Sequence, residues 1–134
     1  MTGLVVDSSA VVAISLREPG HEWLSGQLRD RSDPMMSAPN ALEVTVVLES
    51  RLAESAGLGR RILNQLGIEV ISFTREMADR GAHAWRRYGK GRHPAGLNFG
   101  DCCTYALAEQ TGLPILSVGN DFARTNLPVI RPPD

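Results

Sequence analysis

Runs of apolar residues alternate with helical periods along this chain. Gly3-Leu4-Val5-Val6 is a short β-branched run ending at Asp7-Ser8-Ser9, the pattern of a buried strand entering a helix cap. The next stretch, Ala10 to Leu16, is apolar all round and predicts a buried helix, broken at Arg17-Glu18-Pro19-Gly20. A second helix is expected over His21 to Arg31, with Trp23, Leu24 and Leu28 as its stripe. Met35-Met36-Ser37-Ala38 reads as a second strand, and Pro39-Asn40 opens a long helix over about Asn40 to Ser55 that Gly57-Leu58-Gly59 should end. Leu42, Val46 and Leu48 or Glu49 divide between its core and surface faces.

Beyond a short helix from Arg60 to Leu66, Ile68 to Phe73 alternates as a third strand. Thr74 then caps a helix carrying Met77, Ala78, Gly81, Ala82, Ala84 and Trp85 on one broad face. The segment from Tyr88 to Gly96 is rich in glycine and proline and predicts an irregular, exposed loop. A further apolar helix headed by Asp101 stops at Gly112, and Leu113 to Val118 is expected as a fourth strand. Gly119 to Phe122 forms a turn with an N-cap, and Leu127 to Ile130 can add an edge strand, where Pro128 is tolerated. Strands alternating with helices at this spacing predict an α/β fold. We expect a single domain over residues 1–134, with a central, mostly parallel sheet of four to five strands flanked by helices on both faces.

Composition narrows the chemistry. A net charge of −1 gives no bulk attraction for a polyanion, so any nucleic-acid surface must be local. One candidate runs from Arg75 to His93, where six basic residues face two acidic ones, a local net of +4. Its basic side chains could track an RNA backbone with Tyr88 or Trp85 stacking on a base. The alternative is a solvated helix face with Trp85 in the core. Neither a secretory leader nor a membrane span is visible, so a cytoplasmic location and no membrane contact are expected. Cys102 and Cys103 are adjacent, too close to bridge without strain, and read as buried thiols. His21, His83 and His93 are scattered, which argues against zinc.

The acids carry the informative pattern. Asp101 opens an otherwise apolar helix, where desolvating a lone carboxylate is costly, so it should cap the helix, pair with a cation or bind a metal. Taken singly, Asp7 and Asp121 are ordinary N-caps, and Glu43 is an ordinary first-turn acid. Together, two acids after strands and two near helix starts can converge on the rim where open α/β sheets bind ligands. Clustered carboxylates repel one another unless cations hold them, and oxygen donors without His or Cys suit Mg²⁺ or Mn²⁺.

Four segments in order also resemble the signatures of PIN-domain ribonucleases, most closely toxins of the VapC type. They are Asp7-Ser8-Ser9-Ala10 after the first strand, Ala41-Leu42-Glu43-Val44, Leu97 to Cys102, and Gly119-Asn120-Asp121-Phe122. The likeness covers nearly the whole chain. It implies a Mg²⁺-dependent endoribonuclease (Mn²⁺ a substitute) with Asp7, Glu43, Asp101 and Asp121 as catalytic acids, Asp7 and Asp101 being the principal metal ligands. Ser9 would hold a water or phosphate oxygen at the metal, or else cap its helix, and Asn98 would support the site. It further implies an RNA substrate, a VapB-type antitoxin covering the site, and a homodimer, for which residues 39–66 are the expected face. Fuller patterns carry another acid two positions before Asp121, where this chain has Gly119. A receiver-type phosphoacceptor is disfavoured because the only lysine, Lys90, lies in the irregular loop. A haloacid-type phosphatase would require Asp-x-Asp after the first strand. A non-catalytic RNA-binding or partner-binding module on the same fold is the alternative reading.

Overall fold

A computed structural model describes residues 3–53 and 56–133. Five strands, β1 (Leu4–Val6), β2 (Pro34–Ser37), β3 (Glu69–Ile71), β4 (Ile115–Leu116) and β5 (Val129–Ile130), form one sheet of order β3-β2-β1-β4-β5. Every pairing is parallel, with Val5 aligned to Met35 on one side and to Ile115 on the other. The helices are α1 (Ser8–Ser15), α2 (His21–Asp30), α3 (Ala38–Leu52), α4 (Leu58–Gln65), α5 (Arg75–Tyr88) and α6 (Phe99–Thr111).

Strand alternation assigns the two layers. Leu4 and Val6 point into one core with Met36, Leu116 and the inner faces of α1 to α4. Val5 points the opposite way, with Ile115, into a second core built on α5 and α6. A strand buried on both faces must be apolar at every position, which is why β1 reads as a continuous run. The otherwise apolar helix expected behind Asp101 is equally clear: residues Asp101 to Ala108 are all buried.

Several boundaries differ from expectation. α3 ends at Leu52, with Ala53 in the left-handed region at φ 49°; Ser55, its expected end, lies outside the described residues. Gly57 opens α4 instead of closing α3, and Gly59 sits inside α4, where a Cβ would meet Thr45 Cα at 2.8 Å. That glycine lets two helices approach closely, so it marks packing here and not a turn. Within α3, Val44 and Leu48 face inward while Leu42 and Val46 face solvent. The fourth strand is only two residues long. The loop after α5 is irregular but only partly exposed. Lys90 N–H donates to Leu97 O, Leu97 N–H to Tyr88 O, and Ala95 is buried. Among the described residues no helix is long and apolar enough to cross a membrane.

Candidate active site

The sheet order reverses beside β1, where β2 and β4 flank it and the connections leave towards opposite faces. A crevice at the carboxyl ends of the strands is the consequence. A cavity of about 290 Å³ occupies this rim, lined by Asp7, Glu43, Asp101 and Asp121 together with Ser8, Ser9, Asn98 and apolar neighbours. All four acids, and both supporting residues expected from the sequence, therefore border one space.

Asp7 leaves β1 in extended conformation and caps α1. One carboxylate oxygen, Oδ2, accepts from Ser9 N–H at 3.1 Å; the other, Oδ1, accepts from the Thr104 hydroxyl at 2.6 Å. Each oxygen keeps a free lone pair for the cavity. Only 4% of Asp7 is exposed, and burial raises its pKa against those hydrogen bonds, with the charge of Glu43 adding to the rise. Asp101 stands at the third position of α6 in a capping box. Its backbone N–H donates to Asn98 Oδ1 at 2.9 Å, while Asn98 N–H donates back to Asp101 Oδ2 at 3.0 Å. Burial is the main cause that pushes the Asp101 carboxyl up to about 7. The Asn98 backbone hydrogen bond opposes this, and the charges of Asp7 and Asp121, with a carboxyl–carboxylate hydrogen bond to Asp121, reinforce it.

Glu43 reaches the cavity from the second turn of α3 and accepts from the Ser8 hydroxyl. Gly100 makes room for it, since a Cβ there would lie 2.8 Å from Glu43 Oε1. Asn40, buried in the first turn of α3, donates to Gly100 O at 3.0 Å and ties the starts of α3 and α6 together. Asp121 is exposed and precedes a single 3₁₀ turn, Phe122–Arg124, without any side-chain capping bond; its carboxylate is left to face Asp101.

The Ser9 hydroxyl lines the cavity, and Asp7, not Ser9, caps α1 through its side chain. Ser9 Oγ accepts from Val118 N–H at 3.1 Å and so links α1 to the segment after β4. Gly119 has φ +91°, a conformation L side chains rarely adopt, so this backbone disfavours an acid at that position. Sequence reasoning overlooked Ser8, Asn40, Gly100 and Thr104. Thr104 carried a usable signal, lying one helical turn after Asp101 and therefore on the same face. The others depend on neighbours distant in the chain.

In the basic stretch, Arg80 is bound to Glu76 and Glu109, both at 3.1 Å, and is no free cation. Tyr88 is buried, its hydroxyl donating to Asn126 Oδ1, and cannot stack on an outside base. Trp85 is 44% exposed, with the Arg92 guanidinium 4.2 Å from its ring centre.

The PIN-domain family profile matches residues 4–127. The chain belongs to the PIN-domain family. Within it, this PIN domain is 45% identical over 126 residues to ribonuclease VapC36 of Mycobacterium tuberculosis, covering 92% of this chain and 91% of that protein. It is 41% identical over 128 residues to a ribonuclease VapC of Mycolicibacterium smegmatis, covering 95% and 99%. The membership extends to the VapC ribonuclease group. The fold matches a toxin–antitoxin complex from Klebsiella pneumoniae at TM-score 0.73 and 17% identity, covering 98% of both chains.

The polar side chains lining the cavity are carboxylates, hydroxyls and the Asn98 amide, with no imidazole or thiol among them. Among the described residues no three His, Cys, Asp or Glu side chains close round one point. A hard divalent cation that keeps several waters and takes only one or two carboxylates directly fits this open set, whereas zinc does not. The raised Asp101 carboxyl fits as well, because crowded anions without a counterion hold a proton that a cation would displace.

Proposed function

We propose that this PIN domain is a divalent-metal-dependent endoribonuclease of the VapC type, the toxin of a toxin–antitoxin pair. The observation that carries the reading is four carboxylates, two of them buried with raised pKa, lining one cavity at the sheet's switch point. Asp7 and Asp101 would hold Mg²⁺ or Mn²⁺, with Glu43 and Asp121 on the flanks. When bound, such an ion neutralises phosphate oxygens and acidifies an attacking water.

The chain's own residues do the rest. Thr104 and the α1 N-terminus hold Asp7, the capping box fixes Asp101, and Ser8 orients Glu43. Carboxylates held by neighbours this rigid lose little freedom on binding a cation or phosphate. Glu43 and the exposed Asp121 are free to accept or relay a proton at the edge of the cavity. Asn98, at the head of α6, borders the site without belonging to its charge.

An acidic cavity suits a basic side chain from a neutralising antitoxin, and the Klebsiella pneumoniae structure similar in fold is itself a toxin–antitoxin complex. Self-association fits the 39–66 region, where Leu42, Val46 and Leu52 of α3 are exposed. The test is RNA cleavage by purified, antitoxin-free protein with Mg²⁺ or Mn²⁺, compared with the Asp101→Asn variant, and with cut sites mapped after induced expression. Metal-dependent cutting that the variant loses supports the reading. No cutting, or equal cutting by the variant, overturns it in favour of a non-catalytic RNA- or partner-binding module.

A further inference from the structure

Beside the acidic cavity lies a larger one, about 490 Å³, that the nuclease reading leaves unused. Its walls are the rings of Phe73, Trp85 and Phe99, and Cys102 and Cys103 form part of its floor. Its volume is in the ordinary range for small-molecule recognition, about 300–1,000 Å³. Asn98 borders both cavities, so the two are neighbours across the first turn of α6.

Two features favour a planar, polyanion-borne occupant. Phe99 is 81% exposed and Trp85 44% exposed, so the Phe99 ring and the part of Trp85 that the Arg92 guanidinium leaves uncovered stand in water next to a site built for phosphate chemistry. Cationic groups gather on the same side: Lys90 lines the cavity and Arg92 lies over the Trp85 ring. Exposed aromatic rings among cations are how single-stranded nucleic acids are gripped, by stacking on bases and pairing with phosphates. An aliphatic protein segment would gain from the apolar floor but has no use for the cations.

We propose that this cavity receives one unstacked base of an RNA strand, stacked against Trp85 and Phe99, while the adjoining phosphate lies at the acidic site. Lys90 pairs with a flanking phosphate, and Asn98 Nδ2, its Oδ1 being held by Asp101 N–H, is the donor available to a base edge. The inference rests on the ribonuclease reading for the identity of the polymer. It deepens that reading by assigning substrate selection to a wall that contains none of the acids.

The experiment is binding in EDTA, where no cleavage occurs, using a short single-stranded RNA oligonucleotide and an abasic ribose-phosphate oligomer of equal length. In a Trp23→Phe background Trp85 is the sole tryptophan, and its fluorescence should be quenched by the RNA and not by the abasic oligomer. Because each ring stacks on the base, Trp85→Ala and Phe99→Ala should each weaken RNA binding about tenfold and leave abasic binding unchanged. Ala82→Leu, which narrows the cavity from α5 without removing a ring, should act the same way. Equal binding of the two oligomers, or equal weakening of both, overturns the proposal. So do variants that bind RNA normally and lose only capture of the antitoxin, which would make the cavity a protein-docking surface. Cleavage with Mg²⁺ is scored separately. Base-dependent binding without any cutting defeats the nuclease reading alone, whereas cutting with unchanged base preference in both ring variants defeats the pocket alone.

Discussion

The two cavities on either side of Asn98 are built from one turn of helix. On one side α6 contributes Asp101, with Thr104 one turn later; on the other it contributes Phe99, Cys102 and Cys103. Burial acts on both sets in the same direction and with opposite results. It holds the thiols of Cys102 and Cys103 up at about 11, neutral at any physiological pH. It lifts Asp101 only to about 7, where proton and cation compete. A buried group becomes chemistry when its shifted pKa lies near the working pH, and wall when it lies far away.

Removing the charge from the acidic side should have the largest effect. Asp101→Asn keeps the shape and an oxygen acceptor for Asn98 N–H, and is expected to lower RNA cleavage by about 10²–10⁴-fold. Thermal denaturation of the same variant should show stability held or increased, because a crowded buried carboxylate is gone. Gly100→Ala perturbs the boundary itself. Its Cβ would press on Glu43 at 2.8 Å, the far end of a flexible chain, so kcat should fall roughly tenfold or more with little change in folding. Thr104→Val takes the hydroxyl donor from buried Asp7 and should destabilise the metal-free protein by about 1–3 kcal/mol in urea titration.

The Asp101 carboxyl predicts a pH dependence of the metal-free protein. With Asp101 near 7 folded and near 3.8 unfolded, the folded state binds the extra proton between those values. The contribution of Asp101 to stability is then fully present below about pH 4, is lost as pH rises to about 7 by up to about 1.4 kcal/mol per unit, and is absent above. Denaturant midpoints across pH 4–8 would show the slope, and saturating Mn²⁺ should flatten it at its upper end. On the apolar side the same perturbation should be silent. Phe99→Ser changes an exposed ring and should alter stability by no more than about 0.5 kcal/mol, while RNA binding falls. A large stability loss there would mean that the ring is part of the core.

Much of this was legible before any coordinates. The β-branched run before Asp7, the otherwise apolar helix behind Asp101 and the alternation of strands with helices are local patterns, and local periodicity predicts layers directly. The strand-end rule further placed Asp7 and Asp121 on one rim. What failed was local geometry that neighbours decide. Gly57 and Gly59 read as a helix stop, yet one opens α4 and the other packs against Thr45. The basic stretch read either as an RNA-tracking surface with Tyr88 or Trp85 free to stack or as a solvated helix face, and neighbours decide within it: Tyr88 is buried in the second core and Arg80 is held by two glutamates.

By itself, then, the chain of residue types determined the fold class and the apolar layers, because each depends on spacing within a few residues, while the likeness of four segments to PIN-domain signatures singled out the acids. Only the tertiary structure decided which hydroxyl serves which acid, Ser8 for Glu43 and Thr104 for Asp7, across 35 and 97 residues of chain. It also decided that one turn of α6 divides a charged cavity from an aromatic one. Such pairings depend on how helices cross and how closely Gly100 lets Glu43 approach, and no periodicity in the sequence encodes either.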